Sequence, residues 1–125
     1  MNIKNTNKKK VLMVQGLHEE GKKLLLARDD IEPITIMSAD ENEILEAAKD
    51  VHGITVRTAN ISRKIIENSQ NLKVVSRHGV GYDSVDVEAL NDCNIPLAIA
   101  AHSNMISVAE HAMFMLLALS KNVFY

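Results

Sequence analysis

Residues 72–86 read LKVVSRHGVGYDSVD. A β-branched apolar pair, Val74 and Val75, runs into Ser76 and Arg77, then Gly79 and Gly81 loosen the backbone before Asp83 and Asp86 open a helical segment. The pattern is strand, glycine turn, helix. Glycine serves where a chain turns through positive φ or where a ligand approaches the main chain closely. A turn that ends a strand and begins a helix also offers unpaired N–H groups to an anion such as a carboxylate or phosphate. A tight strand-to-helix connection needs the same two glycines, so the G-x-G alone does not choose between these roles.

The same unit repeats on both sides. Residues 10–14 form a short buried-type strand ended by Gln15 and Gly16. Residues 18–28 mix Leu24, Leu25, Leu26 and Ala27 with Glu19, Glu20, Lys22 and Lys23, as an amphipathic helix does. Residues 34–37, after Pro33, make a second strand. Ser38 or Asp40 caps the next helix, which carries Ile44, Leu45, Ala47 and Ala48, with Glu41 and Glu43 in its first turn. A third strand over 53–57 and a short helix over 61–68 lead into the opening stretch. Beyond it, residues 85–93 form a helix stopped at Asn94, residues 95–100 a fifth strand, and a longer helix runs from about Ser107 to Lys121. Strands apolar on both faces predict a parallel sheet covered by helices on each side. Right-handed crossovers make it a flavodoxin-like, doubly wound five-stranded sheet in a three-layer αβα domain.

The chain has 125 residues and a net charge of −2, nearly half of it apolar, which suits one soluble core. The balance excludes a nucleic-acid binder. Its only basic run, Lys8, Lys9 and Lys10, ends a polar stretch expected to be a flexible tail over residues 1–9. No stretch reaches the ~20 apolar residues of a membrane span, and residues 11–14 are too short for a signal-peptide core, so a cytoplasmic location is expected. Cys93, the single cysteine, has no disulfide or metal partner and is expected to be a small apolar filler.

In a parallel sheet the loops after the strands share one rim, where open α/β folds bind ligands. That rim collects Gln15-Gly16, Arg57-Thr58, the turn from Arg77 to Gly81, and the segment from His102 to Asn104. Arginine suits a carboxylate clamp with two parallel hydrogen bonds, so Arg57 and Arg77 beside the turn point to an anion site.

The last helix supplies a second clue. Ser107-Val108-Ala109-Glu110 fits a capping box. The run Ala112-Met113-Phe114-Met115-Leu116-Leu117-Ala118-Leu119 then has no polar face. The expectation is that the sheet covers one side and that the other presses on a further domain or a second copy of the chain.

These blocks resemble the N-terminal, substrate-side domain of the D-isomer-specific 2-hydroxyacid dehydrogenases, the group that includes phosphoglycerate dehydrogenase, glyoxylate/hydroxypyruvate reductase, D-lactate dehydrogenase and NAD-dependent formate dehydrogenase. The matching pieces, in order, are GITVRT (53–58), NLKVVSR (71–77), GVGYDSVD (79–86), NMISVAEH (104–111) and the Leu-rich helix ending at Lys121-Asn122. The resemblance implies that the backbone amides of Val80 and Gly81 bind the substrate carboxylate and that Val80 lies near the nicotinamide. Arg57 and Arg77 would face the substrate, Asn104 would hydrogen-bond it, and Val108 would sit beside the NAD (or NADP) cofactor. The chain departs from the family at Ile99-Ala100-Ala101, where members often read Asn-Thr-Pro.

In the family the G-x-G-x-x-G coenzyme loop and the catalytic arginine, glutamate and histidine lie downstream of the blocks matched here. Residues 79–84 are not that fingerprint, because they lack its third glycine. The expected organisation is therefore a substrate-binding domain over 10–104 and an interdomain helix over 105–125 leading to an absent NAD-binding domain. Such a segment would bind a small 2-keto or 2-hydroxy acid yet be inactive alone. None of His18, His52, His78, His102 or His111 is assigned as the catalytic acid. The rival expectation is a stand-alone flavodoxin-like binding or assembly module that dimerises through residues 112–119.

Overall fold

The computed structural model describes residues 8–123; residues 1–7 of the expected tail lie outside the described residues. Five strands, β1 (Lys9–Val14), β2 (Ile31–Ile36), β3 (Gly53–Val56), β4 (Val74–Arg77) and β5 (Leu97–Ile99), alternate with five helices. These are α1 (Glu19–Leu26), α2 (Glu41–Ala48), α3 (Arg63–Asn68), α4 (Val87–Asp92) and α5 (Met105–Ser120). All pairings are parallel, in the order β2-β1-β3-β4-β5. This is the doubly wound, flavodoxin-like α/β order expected, with its reversal between β1 and β3.

Register sorts the side chains. Leu12 pairs with Ile34 and Ile54, Ile54 with Val75, and Val75 with Leu97, so these five share one face. With Val14 and Val56 they meet Ile44 and Ala48 of α2, Ile65 and Ile66 of α3, and Ala89 and Leu90 of α4 in one buried cluster. Val11, Gly53 and Val74 are in register on the opposite face. There α1 packs against β2 and has no buried residue of its own. Over β4 that face stays open, with Val74 38% exposed.

Several boundaries differ from the sequence expectation, each for a local reason. Strand β2 begins at Ile31 and runs through Pro33, which an edge strand tolerates because its outward N–H has no ladder partner. Helix α3 starts at Arg63, because Ile61 is held in a bridge: its N–H donates to Ser84 O (2.8 Å) and its carbonyl accepts from Asp86 N–H (3.0 Å). Asp86 in turn caps α4, accepting from Ala89 N–H at 2.8 Å. Asp40 caps α2, accepting from Asn42 and Glu43, and Ser38 instead accepts from Asp40 N–H. Asn94 does stop α4, at φ 54°. Cys93 is not a core filler; it lies at the exposed C-terminal end of α4.

Two corrections concern α5. It begins at Met105 with Asn104 at its N-cap and no side-chain capping hydrogen bond, so the Ser107–Glu110 capping box does not form. Nor does the sheet shield one side of it. Only Ala118 is buried; the turns over residues 101–104 send the helix off the end of β5 instead of back across the open face.

Candidate functional site

The strand ends at the C-terminal rim are stitched together by contacts far apart in sequence. Gln15, at φ 64°, turns its side chain across the gap between β1 and β3. Its Oε1 accepts from Thr58 N–H (2.8 Å), Ala59 N–H (2.8 Å) and the Thr58 hydroxyl (3.2 Å). This bond set fixes the segment that carries Arg57. Gln15→Ala strips two backbone donors of their acceptor, and a loss of about 1–2 kcal/mol is expected in urea unfolding.

The glycine turn is fixed from both neighbouring strands. His78 N–H donates to Val56 O of β3 (2.8 Å), and Gly79 O accepts from Ala100 N–H just past β5 (3.0 Å). Beneath it, Arg77 Nη1 donates to His78 O at 2.8 Å, while its Nε is buried with no hydrogen-bond partner. Gly79 sits at φ 153°, and a Cβ there would lie 1.4 Å from Arg77 Nη1. Glycine at this position follows from the guanidinium packed against it. Above the turn, Val80 is 37% exposed, and neither its N–H nor that of Gly81 donates to a protein acceptor among the described residues. Two unpaired amides beside a half-buried guanidinium are a donor set of the kind that suits a carboxylate.

Arg57, Arg77, Val80 and Gly81 therefore stand at the ends of the adjacent strands β3 and β4, with Asn104 five residues beyond β5. Of these, only Arg57 lines the cavity at this rim. A cavity of about 380 Å³ lies at the β1/β3 reversal, lined among others by Gln15, His18, Lys22, Arg57 and His78. Val80, Gly81, Asn104 and Val108 lie outside it, and Val108 is exposed in the first turn of α5. Sequence reading missed Lys22, His18 and His78 as lining residues. The signal was the strand order, since ligands in such sheets gather where it reverses.

The turn after β4 is not built as a dinucleotide cradle. The turn after β4 carries Ser84 where a third glycine would allow close approach of helix and strand, and Arg77 occupies the space beneath Gly79.

Comparison with known proteins agrees with this architecture. The family model described as D-isomer specific 2-hydroxyacid dehydrogenase, catalytic domain, matches residues 11–123. The D-3-phosphoglycerate dehydrogenase of Methanocaldococcus jannaschii is 36% identical over 115 residues, covering 91% of this chain and 22% of that protein. The chain thus spans about a fifth of the length of this relative. Among solved structures, the NAD+-bound 3-phosphoglycerate dehydrogenase of Entamoeba histolytica superposes with a TM-score of 0.74 at 26% identity, over 89% of this chain and 39% of that one. The NAD-dependent formate dehydrogenase of Staphylococcus aureus in complex with NAD gives 0.75 at 28%, over 91% and 39%.

Proposed function

The chain belongs to the D-isomer specific 2-hydroxyacid dehydrogenases, and from that membership we propose that it is the substrate-binding part of an NAD-dependent oxidoreductase interconverting a D-2-hydroxy acid and a 2-keto acid. The observation that carries this reading is the pair of unpaired amides, Val80 and Gly81, over the Arg77 guanidinium and next to the strand that ends at Arg57. The amides take the substrate carboxylate. Arg57 adds a second cationic contact from the neighbouring strand end, and Asn104 approaches from the far side. Arg77, committed to His78 O, acts through the turn that it supports. NAD, or NADP, would supply or accept the hydride and is held by protein outside these residues, with Val80 and Val108 along its edge. The segment alone then binds substrate without turning it over, in the cytoplasm.

Calorimetric titration of the chain with D-glycerate tests this. Binding is expected, and Arg57→Gln weakens it by roughly ten- to a hundredfold, a charge-assisted hydrogen bond being worth roughly 1.5–3 kcal/mol. The melting temperature should stay unchanged, because the exposed Arg57 has no ion-pair partner among the described residues. Absence of glycerate binding overturns the reading. The exposed apolar length of α5 favours one other reading, a stand-alone module that dimerises through residues 112–119.

A further inference from the structure

We propose that the open face at the N-terminal ends of the strands binds a small carboxylic acid with an apolar tail, the tail lying over Gly53 between Val11 and Val74 and the carboxylate meeting Lys9 and Lys73. A cavity of about 420 Å³ lies there, floored by Val11, Gly53 and Val74, which are in register on β1, β3 and β4. Small-molecule sites run to roughly 300–1,000 Å³ and are mostly apolar with a few polar groups. The cavity stands at the opposite ends of the strands from Arg57, Val80 and Gly81, so a ligand here is not the hydroxy acid held at that rim.

Gly53 points to a ligand. It is paired on both sides in the middle strand of the sheet, where glycine weakens a strand and gives no side chain to pack. Nothing local requires it: its φ is not positive, and an added Cβ would meet Val74 Cγ1 at 3.5 Å and Val11 Cγ2 at 3.7 Å, which are ordinary contacts. The remaining physical reason for glycine in a strand is the close approach of something from outside. Val74, 38% exposed beside it, offers apolar surface to the same visitor.

Charge at the mouth decides what kind of visitor it is. Of the charged groups lining the cavity, Arg28 and Asp30 are joined to each other by two hydrogen bonds of 2.7 Å. That leaves Lys9, on the Val11 face of β1, and Lys73, whose N–H is anchored to His52 O at 2.9 Å. Neither ammonium has an acidic partner among the described residues. What sets these two lysines apart is their place: Lys9 opens β1 and Lys73 immediately precedes β4, roughly 10 Å away across β3, with the apolar floor between them. His52 completes the mouth. Its Nδ1 accepts from Lys10 N–H at 3.2 Å, so the neutral ring carries its proton on Nε2 as a donor. An anionic head at this mouth and an alkyl tail over Gly53 match both halves of the cavity.

The test titrates hexanoate, acetate and hexylammonium into the full chain and follows backbone amide NMR shifts. Hexanoate is expected to give saturable shifts at Val11, Gly53 and Val74 and to bind about tenfold more tightly than acetate, its added methylenes being buried. Hexylammonium should leave those amides unmoved. Gly53→Ala puts a methyl over the floor without strain, so it should weaken hexanoate about tenfold while the melting temperature holds or rises. The double variant Lys9→Gln/Lys73→Gln should weaken hexanoate about tenfold as well and erase its preference over hexylammonium. Lys64→Gln, on α3, should change nothing. Absence of saturable shifts at Val11, Gly53 and Val74, or shifts confined to the exposed apolar length of α5, overturns the site. So does hexylammonium binding as tightly as hexanoate, or a hexanoate affinity untouched by Gly53→Ala or by the double lysine variant.

Discussion

Gly79→Ala is expected to destabilise the chain by about 3 kcal/mol in urea unfolding and to abolish glycerate binding. Two costs combine. At φ 153° an L side chain is strained, worth roughly 1–3 kcal/mol. The new methyl would also lie 1.4 Å from Arg77 Nη1 and must displace a guanidinium whose Nη1 is bonded to His78 O and whose Nε is buried, at about 1–3 kcal/mol for overpacking. Moving Arg77 releases His78 O and swings the amides of Val80 and Gly81, so binding fails with stability. A double-mutant cycle with Arg77→Ala separates the terms. The steric part vanishes when the guanidinium is gone, so the two losses should fall short of additivity by about 1 kcal/mol or more, while the backbone strain persists. A Gly79→Ala variant as stable as wild type, with glycerate affinity intact, would show that the turn is neither strained nor coupled to Arg77.

How much of this was readable in the sequence depended on range. The parallel sheet followed from local pattern: Val74-Val75 and Ile54-Thr55-Val56 are β-branched runs punctuated by glycine or asparagine, and each is followed by a segment with helical spacing. The cap expected at Ser38 or Asp40, the helix opening by Asp86 and the stop at Asn94 are equally local; the structure has Asp40 and Asp86 as caps and Asn94 as the stop. What escaped is what depends on distant partners. Gln15 bonds residues 43 and 44 positions away, and nothing in Gln15-Gly16 announces that. Arg77 reads as a rim cation, yet register with Val56 and Ile99 puts its stem on the packed face and its head under the turn. The capping box at Ser107 failed because Asn104 opens the helix three residues earlier. Apolar composition announced that α5 needs cover, but not that the cover is missing from both it and the β4 side of the sheet.

In a chimera in which this chain replaces the segment it matches in the Methanocaldococcus jannaschii D-3-phosphoglycerate dehydrogenase, Leu116→Lys is expected to cut NAD-dependent activity by more than a hundredfold. The same substitution in the chain alone should change its stability by no more than ~0.5 kcal/mol, the range of an exposed site. The contrast comes from where α5 stands. Ile106, Leu116, Leu117 and Leu119 are 70%, 62%, 59% and 61% exposed, so an ammonium at 116 meets only water in the chain by itself. If a coenzyme domain packs on α5, the same position is enclosed, and an unpaired buried charge there costs several kcal/mol. A helix this apolar needs a partner whichever reading holds, and the two readings part on what the partner is. If the helix joins two domains of one enzyme, the isolated chain sediments as a monomer or a non-specific aggregate, and the chimera loses activity. If it is an assembly surface between copies, the isolated chain sediments as a dimer that Leu116→Lys converts to a folded monomer. The chimera's turnover is then indifferent to the substitution, because residue 116 faces another copy and not the reacting cleft.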